Sequence, residues 1–378
     1  MDMLEYYKKN QIIPEHQTLP NDDFNRFRYQ REYLYSNLGI QLELLSDRSI
    51  IEFGPGPGDN ARVFGTFNPK AVVLVDGNPS SEALILEKIS KGTLDPTIFS
   101  FHLSDARDYN SMHVYDVVIC EGVINGNSNP EEFLEHISKF VKPGGHLIIT
   151  TVSVWGVLDQ ALRRLWVPAI RNQNSTFARQ VSCASNIFRE HLKVLPTTKL
   201  IEDYVQDGIL HPIDANYIFS SVEAVNVLNG DFIVVGSSPR FFQDFRWHKS
   251  INKSKDESNI KFIDQFNSFA YMLLDDRMQN PKDHNLKDME YVEALLSKVW
   301  DLSCEIFTTS SYEKLEQLIS VLKDLNLYMK YISNDIFISI NELITALPNI
   351  SKGVFTDELP NFRSWWGRGL NYLSLRRL

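Results

Sequence analysis

A chain of 378 residues with 43% hydrophobic residues has room for one large domain or two ordinary ones around a sizeable core. Its 48 acidic residues outnumber 38 basic ones, giving a net charge of -10, and no long basic run reverses that field, so nucleic acid is not an expected partner. Cys120, Cys183 and Cys304 stand far apart and match no zinc or redox spacing, which excludes a disulfide framework and suits free thiols in a reducing compartment.

The first residues, MDMLEYYKKNQIIPEHQTLPNDD, carry charges throughout and contain no apolar stretch of a signal peptide, and no later run approaches the roughly 18 apolar residues of a membrane span. A soluble, cytoplasmic protein is the expectation. Next, 23–45 places Phe27, Leu34, Leu38 and Leu42 at spacings of seven, four and four, a helix-period stripe that leads into a strand. Five short apolar runs follow: SIIEF (49–53), AVVLVD (71–76), IFSFHLSD (98–105), VYDVVICEG (114–122) and HLIITTV (146–152). Several are apolar on both faces and are separated by intervals that can hold helices, which predicts a doubly wound α/β sheet with helices on both sides.

After Val152 the rhythm changes. Residues 155–215 are arginine-rich, aromatic and helix-compatible, and read as a helical insertion before two more strand-like runs, NYIFSSVEAV (216–225) and DFIVVGSSP (231–239). The charged NKSKDESN beginning at Asn252 marks a linker, and the rest reads mostly helical, with Leu315, Leu318, Ile319, Leu322 and Leu325 forming an apolar stripe. Expected boundaries are therefore a first domain over 1–250 and a helical region over 251–378.

The first strand ends in EFGPGPGDN. Glycines at 54, 56 and 58 let the backbone turn sharply and approach a ligand with no Cβ in the way. The next run closes on Asp76, eighteen residues past Gly58 and just before Gly77, where a carboxylate can accept both hydroxyls of a ribose. NAD proteins share that spacing. Three details favour another adenosine cofactor: Glu52 would repel a nearby pyrophosphate and suits an amine-bearing ligand; LSDAR offers Asp105 to an adenine amino group and the Ala106 amide to a ring nitrogen; and YDVVICEGV is followed by PEEFLEHISKFVKPGGHLIITT, a helix, a turn and a fifth strand.

In that order these motifs resemble the class I S-adenosylmethionine-dependent methyltransferases, over about residues 45–152. The resemblance implies a Rossmann-like, seven-stranded, mostly parallel sheet and S-adenosyl-L-methionine as cofactor. It implies that Glu52, Gly54, Gly56 and Gly58 hold the methionine portion, Asp76 the ribose and Asp105 the adenine, with Glu121, Gly122 and Val123 lining the wall near the methyl group. Read alone, Asp76 can instead cap the helix of NPSSEALILEKI, and Asp108 can replace Asp105 at the cofactor. Gly144 and Gly145 read as a turn.

The acceptor side falls to 155–215, where IEDYVQDGILHPIDANY gathers Glu202, Asp203, Asp207, His211 and Asp214. His211, in a loop beside Pro212, is the candidate base for a hydroxyl acceptor, with Glu121 as the other candidate; the alternative is a structural histidine. No metal-ligand spacing appears. Two patches, GSSPRFFQDFRWHKS and the C-terminal FRSWWGRGLNYLSLRRL, are similar to bacterial methyltransferases of polysaccharide and natural-product clusters. There Arg240, Arg246, Trp247 and Trp366 either bind an anionic or glycosyl acceptor or, the favoured reading for the tryptophans, dock C-terminal helices. The expected activity is methyl transfer to a small molecule or saccharide, with oxygen the favoured atom; a non-catalytic methyltransferase-like scaffold and an NAD-dependent oxidoreductase are the competing classes.

Overall fold

The computed structural model describes residues 3–13, 21–195, 197, 199–213, 217–241, 246–250, 257–282, 284–352 and 359–378. Asp214 and the linker residues 252–256 lie outside them. The chain divides into two compact units, each drawn from separate stretches: 1–152 with 218–267 and 370–378, and 153–217 with 268–369.

The first unit is built on a seven-stranded sheet. Strands β1 (Ser49–Phe53), β2 (Ala71–Asp76), β3 (Phe99–Leu103), β4 (Tyr115–Cys120), β5 (Val141–Val152), β6 (Phe232–Ser238) and β7 (Leu370–Arg377) lie in the order β3-β2-β1-β4-β5-β7-β6. Four neighbouring pairs are parallel, and β7 runs antiparallel to both β5 and β6. This is the expected doubly wound α/β architecture. Ile50, Ile51, Phe53, Leu74, Val75, Val118 and Ile119 are wholly buried, because helices cover both faces of the parallel part and adjacent side chains on a strand both meet apolar partners. The sheet order reverses between β1 and β4, so the loops after these strands open one crevice at their carboxyl ends.

Helices α1 (Met3–Asn10), α2 (Asn21–Asn37), α3 (Asp59–Gly65), α4 (Pro79–Ser90) and α5 (Pro130–Ser138) connect or flank the strands. Their starts are written locally: α4 and α5 each place Pro first, with Asn78 and Asn129 as side-chain N-caps. The cap before α4 is therefore Asn78, whose Oδ1 accepts from the Ser80 amide at 3.1 Å, and Asp76 is not needed for that purpose.

The second unit contains α6 (Leu158–Arg163), α7 (Val167–Gln173), α8 (Phe177–Leu192) and α9 (Ile201–Tyr204) from the first stretch. Two further helices, α10 (Ser221–Val227) and α11 (Glu257–Phe269), follow in the chain. The remaining members of the second unit are α12 (Leu286–Thr309), α13 (Leu315–Ile332), α14 (Asn334–Ala346) and α15 (Pro360–Ser364). The predicted stripe of α13 packs as core: Leu315, Leu318, Leu322 and Leu325 are buried and Ile319 is half-buried.

Three expectations change. A cut near residue 250 is not the division that packing follows, since 153–217 groups with 268–369 and the last nine residues return to the sheet. Of the predicted strand NYIFSSVEAV, Asn216 lies outside the described residues and 217–225 form no named strand: Phe219 makes one bridge to Val152, and then Ser220 and Glu223 form a capping box that starts α10. Within the region read as mostly helical, the final segment is a strand: Leu373 and Leu375, two apart and both wholly buried, fit the pleat of a strand paired with β5 on one side and β6 on the other. The outer edge of β6 is closed by Asn259 of α11, which bonds the Val234 amide at 2.9 Å and the Phe232 carbonyl at 2.9 Å.

Candidate functional site

The crevice of the first unit begins at the glycine loop. Gly54, Gly56 and Gly58 all have positive φ, at 73°, 54° and 81°, conformations that exclude most side chains. A Cβ at Gly54 would also collide with Val123, so the loop lies directly against the segment after β4. The Gly54 amide donates to the Val75 carbonyl at 2.8 Å, and the Gly56 amide to Asp76 Oδ2 at 3.3 Å. The loop and the tip of β2 are thus one construction.

Asp76 is 9% exposed, less than a strand-tip carboxylate would be expected to show. Its Oδ1 accepts from the Asn78 amide at 2.8 Å. Burial pushes its pKa up, against the opposing pull of the hydrogen bonds from Asn78, Ser81 and Gly56. A Cβ on Gly77 would stand 2.7 Å from a Leu4 methyl and 3.4 Å from the Asp105 Cα, so Gly77 lets α1 and the loop after β3 close around the second strand's tip. Asp105 is bound by Arg107 through the amide at 2.9 Å and the guanidinium at 3.0 and 2.5 Å. Partial burial works against ionisation, but these hydrogen bonds hold the carboxyl below its usual range. Ala106 follows it and is buried.

Below the loop lies a polar cluster only part of which the sequence predicted. Glu52, 2% exposed, accepts from Asn60 Nδ2 at 3.2 Å on Oε1, while its Oε2 is buried and has no hydrogen-bond partner. The same Asn60 nitrogen reaches Glu121 Oε2 at 3.4 Å. Glu121 Oε1 receives Arg31 Nη2 and, at 3.0 Å, the Tyr35 hydroxyl. Arg31 also donates to Tyr35 at 3.1 Å and to the Tyr372 hydroxyl at 3.4 Å. Burial, and then the charge of Glu121, raise the Glu52 carboxyl to about 8. Arg31, Tyr35 and Asn60 carried no motif; the only trace in the sequence is a four-residue spacing that puts Arg31 and Tyr35 on one face of α2.

Gly122, at φ 72°, donates its amide to Thr150 Oγ1 at 2.7 Å, and a Cβ there would meet nothing within 4 Å. Open space in front of Gly122 and a buried carboxylate oxygen lacking a donor are what the amino-acid end of a sulfonium cofactor requires, so the residues fit S-adenosylmethionine.

In the second unit His211 is 2% exposed rather than part of an open loop. Both ring nitrogens lie within 3.0 Å of Arg164 Nη2. Burial first, and Arg164 second, hold its pKa well below the usual imidazole range. Arg164 is enclosed too, with Nε on the Gly208 carbonyl at 3.0 Å. Trp366 is buried under the Arg163 guanidinium, whose Cζ stands 4.0 Å from its ring centroid. In the first unit Trp247 is 62% exposed, so it docks no helix, and its neighbour Arg246 pairs with Glu257. Arg240 is exposed. Asp207 pairs with Lys199 at 2.7 Å.

A family profile described as a methyltransferase domain matches residues 27–185, from α2 into α8. The chain is 21% identical over 210 residues to a ubiquinone biosynthesis O-methyltransferase of Rickettsia typhi, a span that is 52% of this chain and 82% of that protein. It is 23% identical over 197 residues to the protein of the same name from Rickettsia bellii, covering 49% and 79%. Among solved structures, the N-methyltransferase NodS of Bradyrhizobium japonicum with S-adenosyl-L-homocysteine gives a TM-score of 0.33 at 14% identity over 40% of this chain and 74% of that one. Magnesium protoporphyrin IX methyltransferase of Synechocystis gives 0.32 at 14% identity over 40% and 77%.

The matched profile marks a methyltransferase domain at 27–185, and the strand order and glycine loop around it are the arrangement expected of a class I S-adenosylmethionine-dependent methyltransferase. S-adenosylmethionine is the cofactor that the residues of the crevice fit, and among the described residues no helix is long and apolar enough to cross a membrane.

Proposed function

We propose that this methyltransferase transfers the methyl group to oxygen of a small-molecule or saccharide acceptor. The observation that carries the cofactor placement is the coupling of the glycine loop to Asp76 through the Gly56 amide, beside a buried Glu52 with one unpaired oxygen. In this reading Glu52 and the backbone at Gly54, Gly56 and Gly58 take the charged amino-acid end. Asp76, next to Gly77, takes the ribose hydroxyls. Asp105 keeps lone pairs beyond those used by Arg107 and accepts from the adenine amino group, while the Ala106 amide serves a ring nitrogen. Glu121, Gly122 and Val123 line the wall where transfer occurs.

The bound cofactor supplies a methyl group on a sulfonium, and displacement at that carbon depends first on holding the acceptor in line at about 3 Å. Oxygen is favoured because the curated relatives are named O-methyltransferases. A hydroxyl acceptor must lose a proton. Glu121 is the carboxylate we assign to that wall; His211, enclosed against Arg164 and weakly basic, is left out of the chemistry. Purified protein should bind S-adenosylhomocysteine and not NAD in calorimetry, and should pass a labelled methyl group from S-adenosylmethionine to a hydroxyl within a panel of phenols and sugars. Binding of NAD alone would overturn the cofactor assignment; labelling only of amines or thiols would overturn oxygen.

A further inference from the structure

Four elements deliver charge or hydrogen bonds to one buried point. Glu52 comes from β1, Asn60 from α3, Glu121 from the end of β4, and Arg31 with Tyr35 from α2. The single Asn60 amide nitrogen spans both carboxylates, at 3.2 and 3.4 Å, while the guanidinium pairs with Glu121 alone. The buried Glu52 and the part-buried Glu121 therefore share one cation, and the cation is fixed on one side. With both ionised, the cluster carries an uncompensated negative charge in a low-dielectric site, which is costly. Glu52 is the member without a counter-ion and with an unpaired oxygen.

We propose that Arg31 and Asn60 are positioning residues that divide this charge unequally, so that Glu52 keeps a proton in the free protein and releases it to solvent when the ammonium of the cofactor arrives. The bond broken is the Glu52 O–H, and the new carboxylate replaces the proton with the ligand's positive charge. The inference rests on the cofactor placement above. The groups facing Glu52 agree with it: Glu121 and, more weakly, Asp76 of β2 oppose its ionisation, Asn60 and Arg31 favour it, and burial outweighs both, placing the carboxyl at about 8. Tyr35 and Cys120, which also sense Glu52, are neutral, since burial raises both.

The test is calorimetry of the full chain with S-adenosylhomocysteine between pH 6 and pH 7.5, in buffers of different ionisation heat. At pH 7 binding should release about one proton, and affinity should fall about tenfold per pH unit below about pH 8. Glu121→Gln removes the neighbouring charge, the second cause of the shift after burial, and should lower the proton count at pH 7 and move the affinity profile to lower pH; Arg31→Lys keeps a cation on Glu121 and should preserve both. A merely structural role for the cluster predicts no such change in proton count. Binding of the unaltered protein with no proton exchanged, or an unchanged count in Glu121→Gln, would overturn the proposal while leaving the cofactor site intact. Absence of any binding across the pH range would instead strike the cofactor placement, and this inference with it.

Discussion

The two units bury arginine against opposite surroundings. In the first, Arg31 is outnumbered: Glu121 takes its guanidinium, Glu52 stands beside Glu121 across Asn60, and one Glu52 oxygen has no donor. In the second, Arg163 and Arg164 are adjacent and wholly enclosed, and among the described residues Asp159 is the one carboxylate bonded to either. Arg163 is answered by Asp159 at 2.6 Å, by the Phe362 and Trp365 carbonyls at 3.2 and 2.6 Å, and by the Trp366 face. The first cluster is short of donors and therefore ready for a cation. The network around Arg163 is nearly closed on itself, ties α6 to α15, and serves the fold.

The comparison breaks most severely at Arg163. Arg163→Met should destabilise the protein by about 3–5 kcal/mol, because Asp159 is left buried without its cation and two carbonyls lose their donor. Urea unfolding followed by circular dichroism measures it. A loss under 1 kcal/mol would mean that Asp159 takes up a proton without penalty and that the network is not structural.

Glu52→Gln should act in the opposite direction. The folded protein holds the Glu52 proton up to about pH 8, whereas the unfolded chain releases it near 4.5. Between these values the native state binds more protons, so stability falls as pH rises through that window and stays reduced above it. Removing the ionisable group removes the penalty: at pH 8.5 the free variant should be more stable than the unaltered protein by on the order of 3 kcal/mol, with little difference at pH 4.5. Its affinity for S-adenosylhomocysteine should nevertheless drop. Thermal melts across pH supply the first measurement and calorimetry the second.

Asp76→Ala tests the other end of the same crevice. Loss of a charged hydrogen-bond acceptor should weaken S-adenosylhomocysteine binding by about 1.5–3 kcal/mol. Because Asp76 is buried and bonded to the Asn78 and Gly56 amides, the variant should also lose about 1 kcal/mol of stability or more. Unchanged affinity in the folded variant would remove the ribose assignment.

These cases also show what a sequence makes legible. The parallel strands were readable because burial on both faces imposes continuous apolar runs, and the loop was readable because positive φ at three places demands glycine. Glu52 and Asp76 could be named since each occupies a fixed offset from that loop. Arg31 and Asn60 could not, because Glu121, the carboxylate they share, lies 90 and 61 residues from them and only the closed sheet brings the three together. The C-terminal strand was missed for a related reason. LNYLSLRR has too few apolar residues to announce itself, and it becomes a strand by filling the gap between β5 and β6. His211 shows the reverse error, since a titratable residue next to proline suggests an open loop, while Arg164, forty-seven residues earlier, encloses it.

That last residue gives the smallest expected effect and the sharpest contrast between the units. A general base contributes about 10²–10⁴-fold to turnover when its pKa is near the working pH. The His211 imidazole is pushed far below that range by burial and by the Arg164 guanidinium facing both ring nitrogens, so it has little tendency to accept a proton from a hydroxyl. His211→Asn keeps a polar group beside Arg164 and should leave kcat on a hydroxyl acceptor within about twofold, far less than the loss of a general base would cause. The pH–rate profile should keep its shape. Glu121→Gln, by contrast, should lower kcat by the factor that a base supplies. If His211→Asn lost 10²-fold or more in kcat at unchanged S-adenosylhomocysteine affinity, His211 would have to be restored as the base, and Glu121 would be reduced to a partner of Arg31.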